Sequence, residues 1–214
     1  MTILHRTLGR IMPTPCQIQD PHRSRQAPAT PGRSHDCLPA ATGDFGALAR
    51  ARRVAVILDA ENLVYSARDY DWRLDFVRLG QLLRRHFRRV EMHAVVSVAP
   101  DQVDATRRDA ERVGWVGHAR PIVTTPRHRC ANGDVTCAFV TATLLARFKA
   151  DTLLLGTGDG PLGLDIARAA RTSFPSCRQI ATLSLKATTS RLLNRENAPE
   201  IDANLYLGQD VLRI

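Results

Sequence analysis

The chain has 214 residues, 44% of them hydrophobic, and carries a formal net charge of +9 at pH 7. This length fits one ordinary domain with a tail and is too short for two full α/β domains. No apolar run approaches the roughly 20 residues of a membrane span, and the N-terminus lacks the apolar segment of a signal peptide. We therefore expect a cytoplasmic protein that has no membrane partner.

The excess of basic residues favours a polyanionic partner, because arginine and lysine release counterions when they neutralise phosphates. Only two of the 30 basic residues, Lys149 and Lys186, are lysines. A GC-rich genome would produce the same bias at any surface position. The charge therefore supports a nucleic-acid partner without proving one.

The five cysteines indicate neither a disulfide framework nor a structural zinc site. They include no C-x-x-C pair, and the spacing of His128, Cys130 and Cys137 matches no common zinc pattern. We expect reduced thiols, as in other cytosolic proteins.

Residues 1–50 differ in composition from the rest of the chain. Prolines interrupt any helical or strand period there, at positions 13, 15, 21, 28, 31 and 39. We predict a disordered Pro/Arg-rich extension over 1–50 and a single domain over 51–214.

In that domain, short apolar runs alternate with amphipathic segments, which is typical of βαβ units and a parallel sheet. The predicted strands span 54–58, 90–98, 115–124, 152–155, 180–185 and 204–207. The predicted helices span 61–69, 74–87, 102–113, 135–148, 162–171 and 188–193, and the polar segment 126–133 is predicted to be a loop. The buried candidates on helix 135–148 are Phe139, Leu144, Leu145 and Phe148.

Three aspartates follow predicted strands or open a predicted helix. Asp59 ends the apolar run 54–58, Asp134 opens helix 135–148, and Asp159 follows the run 153–155 within a glycine turn. Ligands of an open parallel sheet collect at the carboxyl ends of its strands, so these carboxylates are expected to converge. Hard oxygen ligands suit Mg²⁺ or Mn²⁺.

Helix capping is the competing interpretation of each aspartate, because a carboxylate at a helix start accepts hydrogen bonds from unpaired N–H groups. Asp134 fits that role well. Asp59 is followed closely by Glu61 and Asn62, and Asp159 lies between two glycines, where backbone N–H groups can approach a ligand.

The order of these motifs resembles the NYN domain of the PIN-like nuclease superfamily (LabA-like). The matching pieces are the strand ending in Asp59 with Asn62 after it, Gly133-Asp134 opening a helix, and Thr157-Gly158-Asp159 after a strand. The resemblance covers about residues 53–208.

The resemblance implies a three-layer α/β/α sandwich with a central, mainly parallel sheet and a metal-dependent endoribonuclease activity. Carried over, Asp59, Asp134 and Asp159 are the Mg²⁺ or Mn²⁺ ligands, and Asn62 belongs to the catalytic set. Thr157 joins Arg127 and Arg129 of the basic loop as the predicted substrate contacts. RNA, single-stranded or structured, is the implied substrate, and the oligomeric state stays open.

The sequence departs from the family pattern at two places where further acids are expected. Pro161 stands where Gly-Asp-x-Asp has its second acid, and Val140 and Thr141 occupy the region of another on the central helix. Asp165 is a potential substitute, although a solvated surface charge is the simpler interpretation.

Two alternatives to the nuclease therefore stay open. A catalytically silent NYN-like module would bind RNA or a protein partner. A phosphatase or nucleotide-binding enzyme would use an aspartate after its first strand, but the chain has no G-x-x-x-x-G-K-[ST] loop.

Overall fold

The computed structural model describes residues 41–43, 45–124, 129–130 and 132–214, with the side chains at 124, 129 and 130 outside that description. Residues 1–40 of the extension predicted over 1–50 also lie outside the described residues. Among the helices that are described, none has the length and apolar character needed to cross a bilayer.

The described residues form ten strands. They are β1 (Val54–Asp59), β2 (Arg73–Leu74), β3 (Val90–Val98), β4 (Val116–Pro121), β5 (Val123–Thr124), β6 (Arg129–Cys130), β7 (Thr152–Gly156), β8 (Gln179–Ser184), β9 (Ala203–Tyr206) and β10 (Leu212–Arg213).

Five α-helices and short 3₁₀ turns connect the described strands. The helices are α1 (Ala60–Arg68), α2 (Phe76–His86), α3 (Val103–Arg112), α4 (Gly133–Arg147) and α5 (Gly160–Ser173). The predicted short helix 188–193 is a 3₁₀ turn, Arg191–Leu193.

Six strands form one sheet in the order β4-β3-β1-β7-β8-β9, and every neighbouring pair is parallel. Parallel neighbours need crossover connections, and the helices supply most of them. The predicted three-layer fold with a central parallel sheet is confirmed.

The side chains of β1 alternate between two apolar cores, one on each face of the sheet. Val56 belongs to the core that also contains Leu63 of α1 and Leu79 of α2, whereas Ile57 belongs to the core beneath α4 and α5. Because both faces of the sheet are buried, the residues of β1 before Asp59 are all apolar and do not alternate with polar ones.

The packed domain begins before residue 51, the boundary placed by sequence analysis. Phe45 and Leu48 lie in a 3₁₀ turn, Phe45–Leu48, and both are buried in the core. Phe45 packs edge-on against Phe87 at 5.5 Å between ring centroids. The boundary was predicted at residue 51 because the proline-rich composition before residue 40 was extended over Phe45 and Leu48.

Two local predictions were also wrong. Phe139, predicted as a core residue of α4, is 73% exposed, because Val140, Leu144 and Leu145 already supply the buried face of the helix. The predicted strand 115–124 is divided at Ile122, and its last part, β5, pairs with β6 inside the segment predicted to be a loop.

Candidate active site

Asp59, Asp134 and Asp159 lie at the carboxyl-terminal edge of the sheet. Asp59 is the last residue of β1, and Asp159 follows β7, the strand directly beside β1. Asp134 is the second residue of α4, which packs against β1 and β3. The topology therefore delivers one carboxylate from each of three chain segments to the same edge.

Asp59 is a half-buried acid whose carboxylate caps α1. Its Oδ1 accepts a hydrogen bond from the backbone N–H of Asn62 at 3.2 Å. Burial raises the pKa of Asp59 to about 7, against the opposing effect of that hydrogen bond. The negative charges of Asp134, Glu61 and Asp159 raise the pKa further.

Asp134 is not a helix cap. Asn132 holds the cap position of α4 without a side-chain hydrogen bond, and the Asp134 carboxylate makes none to any described residue. Although Asp134 is exposed, the protein around it raises its pKa by desolvation, and the charge of Asp159 adds to the effect. The structure thus does not support the capping role for Asp134.

Asp159 caps α5, and both its carboxylate and its backbone N–H form hydrogen bonds. Its Oδ1 accepts from the N–H of Leu162 at 3.1 Å, and its own N–H donates to Thr157 Oγ1 at 3.1 Å. Thr157 is 3% exposed. The structure does not support the predicted substrate contact of Thr157, because this buried hydroxyl orients the turn that carries Asp159.

Asn62 also holds that turn. Its Oδ1 accepts from the backbone N–H of Gly158 at 2.8 Å. A Cβ added to Gly158 would lie 3.2 Å from the carbonyl oxygen of Thr188 and 3.3 Å from the same Asn62 oxygen. Asn62 therefore belongs to the site as a positioning residue, with its amide oxygen committed to the backbone.

A groove of about 470 Å³ between α4 and α5 opens beside the aspartates. Asp134, Asp159 and Asp165 all line it, and most of its remaining lining is apolar. Asp165 is exposed and faces this groove, so the substitute acid considered from the sequence lies beside the proposed site. Pro161 and Thr141 also line the groove, although Thr141, like Val140, is buried.

The donor set fits a hard divalent cation in its chemistry. The two capping aspartates use Oδ1 for the helix N–H groups, which leaves Oδ2 of Asp59 and Asp159 for a cation. No group of three or more His, Cys, Asp or Glu side chains of the described residues is already gathered in coordinating geometry. Side-chain rotation, above all of the exposed Asp134, is needed to close a site.

The basic loop predicted to contact substrate is only partly described. Arg127 lies outside the described residues, and Arg129 lies in β6 with its side chain outside the description. The predictions for both residues stay predictions.

Cys137 is a neighbour of the acids that sequence analysis did not place there. It is buried, and its thiol pKa is raised by burial and by the charges of Asp59 and Asp134. Its sulfur is therefore a neutral thiol in the floor of the site. Cys137 follows Asp134 by three residues on the same helix, and residues with this spacing are neighbours, so the sequence could have predicted their proximity.

Comparisons with known proteins identify the fold and no family. No protein-family model matches the chain, and no curated protein matches it. Among solved structures, the chain is similar to a protein of unknown function from Vibrio parahaemolyticus, with a TM-score of 0.60 and 18% sequence identity. That match covers 76% of this chain and 97% of the other, and at this identity it shows a shared fold only.

Proposed function

We propose that the protein is a metal-dependent ribonuclease that hydrolyses RNA phosphodiester bonds endonucleolytically at the aspartate cluster. The observation that carries the proposal is the convergence of Asp59, Asp134 and Asp159 at one sheet edge, where their charges influence one another. Burial and neighbouring charges raise the pKa values of Asp59 and Asp134, and acids perturbed in this way cluster at functional sites.

The protein contributes position and charge to this chemistry. Asp59 and Asp159 are fixed by their capping hydrogen bonds. Asn62 and Thr157 hold the turn at Gly158 that carries Asp159. The less constrained carboxylate is that of Asp134. Two fixed acids and one adjustable acid are suited to admitting a cation and then enclosing it.

Mg²⁺ or Mn²⁺ held by the three aspartates would neutralise charge on the scissile phosphate and promote ionisation of the attacking water. Asp59 must lose its proton to serve as a ligand. Its carboxyl group therefore binds a cation more strongly as the pH rises through about 7.

RNA is the proposed substrate because the motif order resembles a ribonuclease family and because the chain carries a net charge of +9. Only 5% of its residues are aromatic, which gives few platforms for stacking on bases. We expect weak sequence preference.

Mn²⁺-dependent thermal stabilisation tests the cation site. A cation that binds only the folded protein at 100 times its Kd stabilises by roughly 2.7 kcal/mol. The Asp159→Asn variant, which can still cap α5, should lose this stabilisation. An equal shift in wild type and variant would place the bound Mn²⁺ elsewhere.

Circular RNA tests the cleavage mode. An endonuclease converts a circle to a linear product in the presence of Mn²⁺, whereas an exonuclease leaves the circle intact and degrades linear RNA. Intact circles beside degraded linear RNA would overturn the endonucleolytic assignment.

A catalytically silent module that binds RNA or a protein partner is the second candidate. The observation that favours it lies on α4, where Val140 and Thr141 are buried and the Thr141 hydroxyl donates to the Cys137 carbonyl at 2.8 Å. Neither of these two residues supplies a carboxylate to the site. RNA binding without metal-dependent cleavage would favour this candidate.

A further inference from the structure

A second charged site lies at the opposite end of the sheet from the aspartates. Six arginines line a cavity of about 1200 Å³ there, which we call the arginine cleft. They are Arg50, Arg52, Arg53, Arg88, Arg89 and Arg178.

Strand order gathers these arginines in one place. Arg53 directly precedes β1, Arg89 precedes β3, and Arg178 precedes β8. Parallel strands start at the same edge, and β3, β1, β7 and β8 are consecutive in the sheet. Segments far apart in sequence therefore place their cations around one cavity.

Among the described residues that line the cleft, Asp151 is the one acid, and its carboxylate already accepts several hydrogen bonds. Its Oδ1 accepts from the backbone N–H of Arg52 at 3.0 Å and from the hydroxyl of Thr152 at 3.0 Å. The N–H of Arg53 contacts both of its oxygens at 3.2 Å. Within the described part of the chain, none of the six guanidinium groups forms an ion pair.

Backbone hydrogen bonds tie the rim of the cleft together. The N–H of Val54 donates to the Arg89 carbonyl at 2.9 Å, and the N–H of Asp151 donates to the Arg53 carbonyl at 3.0 Å. The N–H of Arg178 donates to the Asp151 carbonyl at 2.8 Å. The three loops that carry the arginines are thus held before any ligand arrives, which lowers the entropic cost of binding.

The lining suits a multiply charged phosphate compound. Guanidinium groups match phosphate oxygens with paired, charge-assisted hydrogen bonds. None of the described residues that line the cleft is aromatic, so these residues offer no stacking platform for a base. The chain's own first 40 residues hold five arginines and two aspartates, so their charge does not complement the cleft.

We propose that the arginine cleft binds the phosphate backbone of RNA without regard to sequence, as an anchoring site separate from the aspartates. β1 has six residues, so the two sites lie roughly 20 Å apart along the strand direction. An RNA bound at both sites would run along the side of the domain from the arginine cleft to the aspartates. The choice of RNA over other polyphosphates rests on the proposed function.

RNA binding by the full chain in the presence of chelator tests the cleft without cleavage. The measurement is fluorescence anisotropy of a labelled, mixed-sequence RNA at several potassium chloride concentrations. The test variant is Arg88→Gln/Arg178→Gln, which removes one charge from each side of the cleft. The matched control is Arg108→Gln/Arg195→Gln, which removes two exposed arginines outside the cleft lining.

The cleft variant should lose roughly tenfold in affinity, and its salt slope should fall by about 1.4, or 0.7 for each lost phosphate contact. The control should change much less. Equal losses in both variants, or no loss in the cleft variant, would overturn the proposal. Stronger competition by inorganic polyphosphate than by RNA at equal phosphate concentration would overturn the choice of RNA.

The outcome separates this proposal from the proposed function. RNA binding in chelator requires neither a bound cation nor cleavage, so the effect of the cleft substitutions is measured independently of the aspartates. If cleavage is never observed but the cleft effect holds, the nuclease assignment fails and the anchoring site stands.

Discussion

Asp59 is the residue whose protonation most directly links the site to the stability of the fold. Its pKa is raised in the folded protein from 3.8 to about 7, so the folded state binds this proton more tightly than the unfolded state. Stability from this group is therefore fully present below about pH 4. It is lost progressively as the pH rises to about 7.

The Asp59→Asn variant should remove this pH dependence. Asparagine also caps helices well, so the cation-free variant should be more stable than wild type at pH 8, by up to about 4 kcal/mol. Urea denaturation between pH 4 and pH 8 in chelator measures the difference. Parallel curves for the two proteins would contradict the raised pKa.

Thr157 supports the site through a single buried hydrogen bond. Thr157→Val keeps the side-chain shape but leaves the N–H of Asp159 without its acceptor, which should cost about 1–3 kcal/mol of stability. RNA cleavage should fall more than stability alone explains, because Asp159 loses its orientation. Cleavage should recover in Thr157→Ser, because serine restores the hydroxyl acceptor. Activity is compared at a temperature where all three proteins are folded. An inactive serine variant would show that Thr157 has another role.

At the level of elements, the contact between α5 and the 3₁₀ turn Arg191–Leu193 requires a glycine at position 160. A Cβ there would lie 2.3 Å from Ser190 Oγ and 3.0 Å from Leu192 Cβ. Gly160→Ala should therefore destabilise the protein by about 1–3 kcal/mol. The double variant Gly160→Ala/Ser190→Gly should recover part of the loss in thermal denaturation, and an additive loss would contradict the contact.

Strands β3 and β4 are joined near the sheet edge by a histidine pair. His93 Nδ1 and His118 Nε2 are 2.8 Å apart, so one ring donates to the other and both are neutral. Burial is the largest cause that lowers the pKa of each ring to about 4. Arg147 adds to the effect at His93, and His93 followed by Arg107 adds to it at His118.

This pair should destabilise the fold in acid. Stability from both rings is fully present above about pH 6.5 and is lost as the pH falls towards 4, because the unfolded chain takes up protons first. The His118→Gln variant should lose less stability over this range. Urea denaturation of wild type and variant measures the effect. Its pH dependence is opposite to that of Asp59, so comparing His118→Gln with Asp59→Asn separates the two contributions.

At the scale of the whole molecule, the fold places the acids and the arginine cleft at opposite ends of one parallel sheet. The strand that ends in Asp59 begins after Arg53, so a single element connects the two sites. Residues before strands gather at one edge and residues after strands at the other. The proposed catalytic and anchoring functions both follow from that rule.

The sequence predicted the sheet and the acidic edge because both depend on short-range signals. Apolar runs marked every strand of the main sheet to within a few residues, and an acid directly after such a run must reach the carboxyl edge. Phe139 shows the limit. Its helix is apolar over more than one face, so spacing alone could not identify which face is buried.

The roles within the site were less predictable. Motif order singled out Asn62 and Thr157, and in the structure their side chains form hydrogen bonds to the backbone of Gly158 and Asp159. Such contacts depend on how one strand meets its neighbour. That Arg53 and Arg178 line one cleft was not predictable for the same reason, because the two residues meet only through strand order.

The central claim is that Asp59, Asp134 and Asp159 form the catalytic site of a metal-dependent ribonuclease. The most direct test is cleavage of end-labelled, mixed-sequence RNA by the full chain in Mn²⁺, Mg²⁺ or chelator. Asp59→Asn and Asp134→Asn are compared with the control Asp104→Asn, which removes an exposed acid of α3.

We predict cleavage that requires the cation, falls roughly 100-fold or more in both site variants, and is unchanged in the control. Cleavage that continues equally in the two site variants would contradict the account.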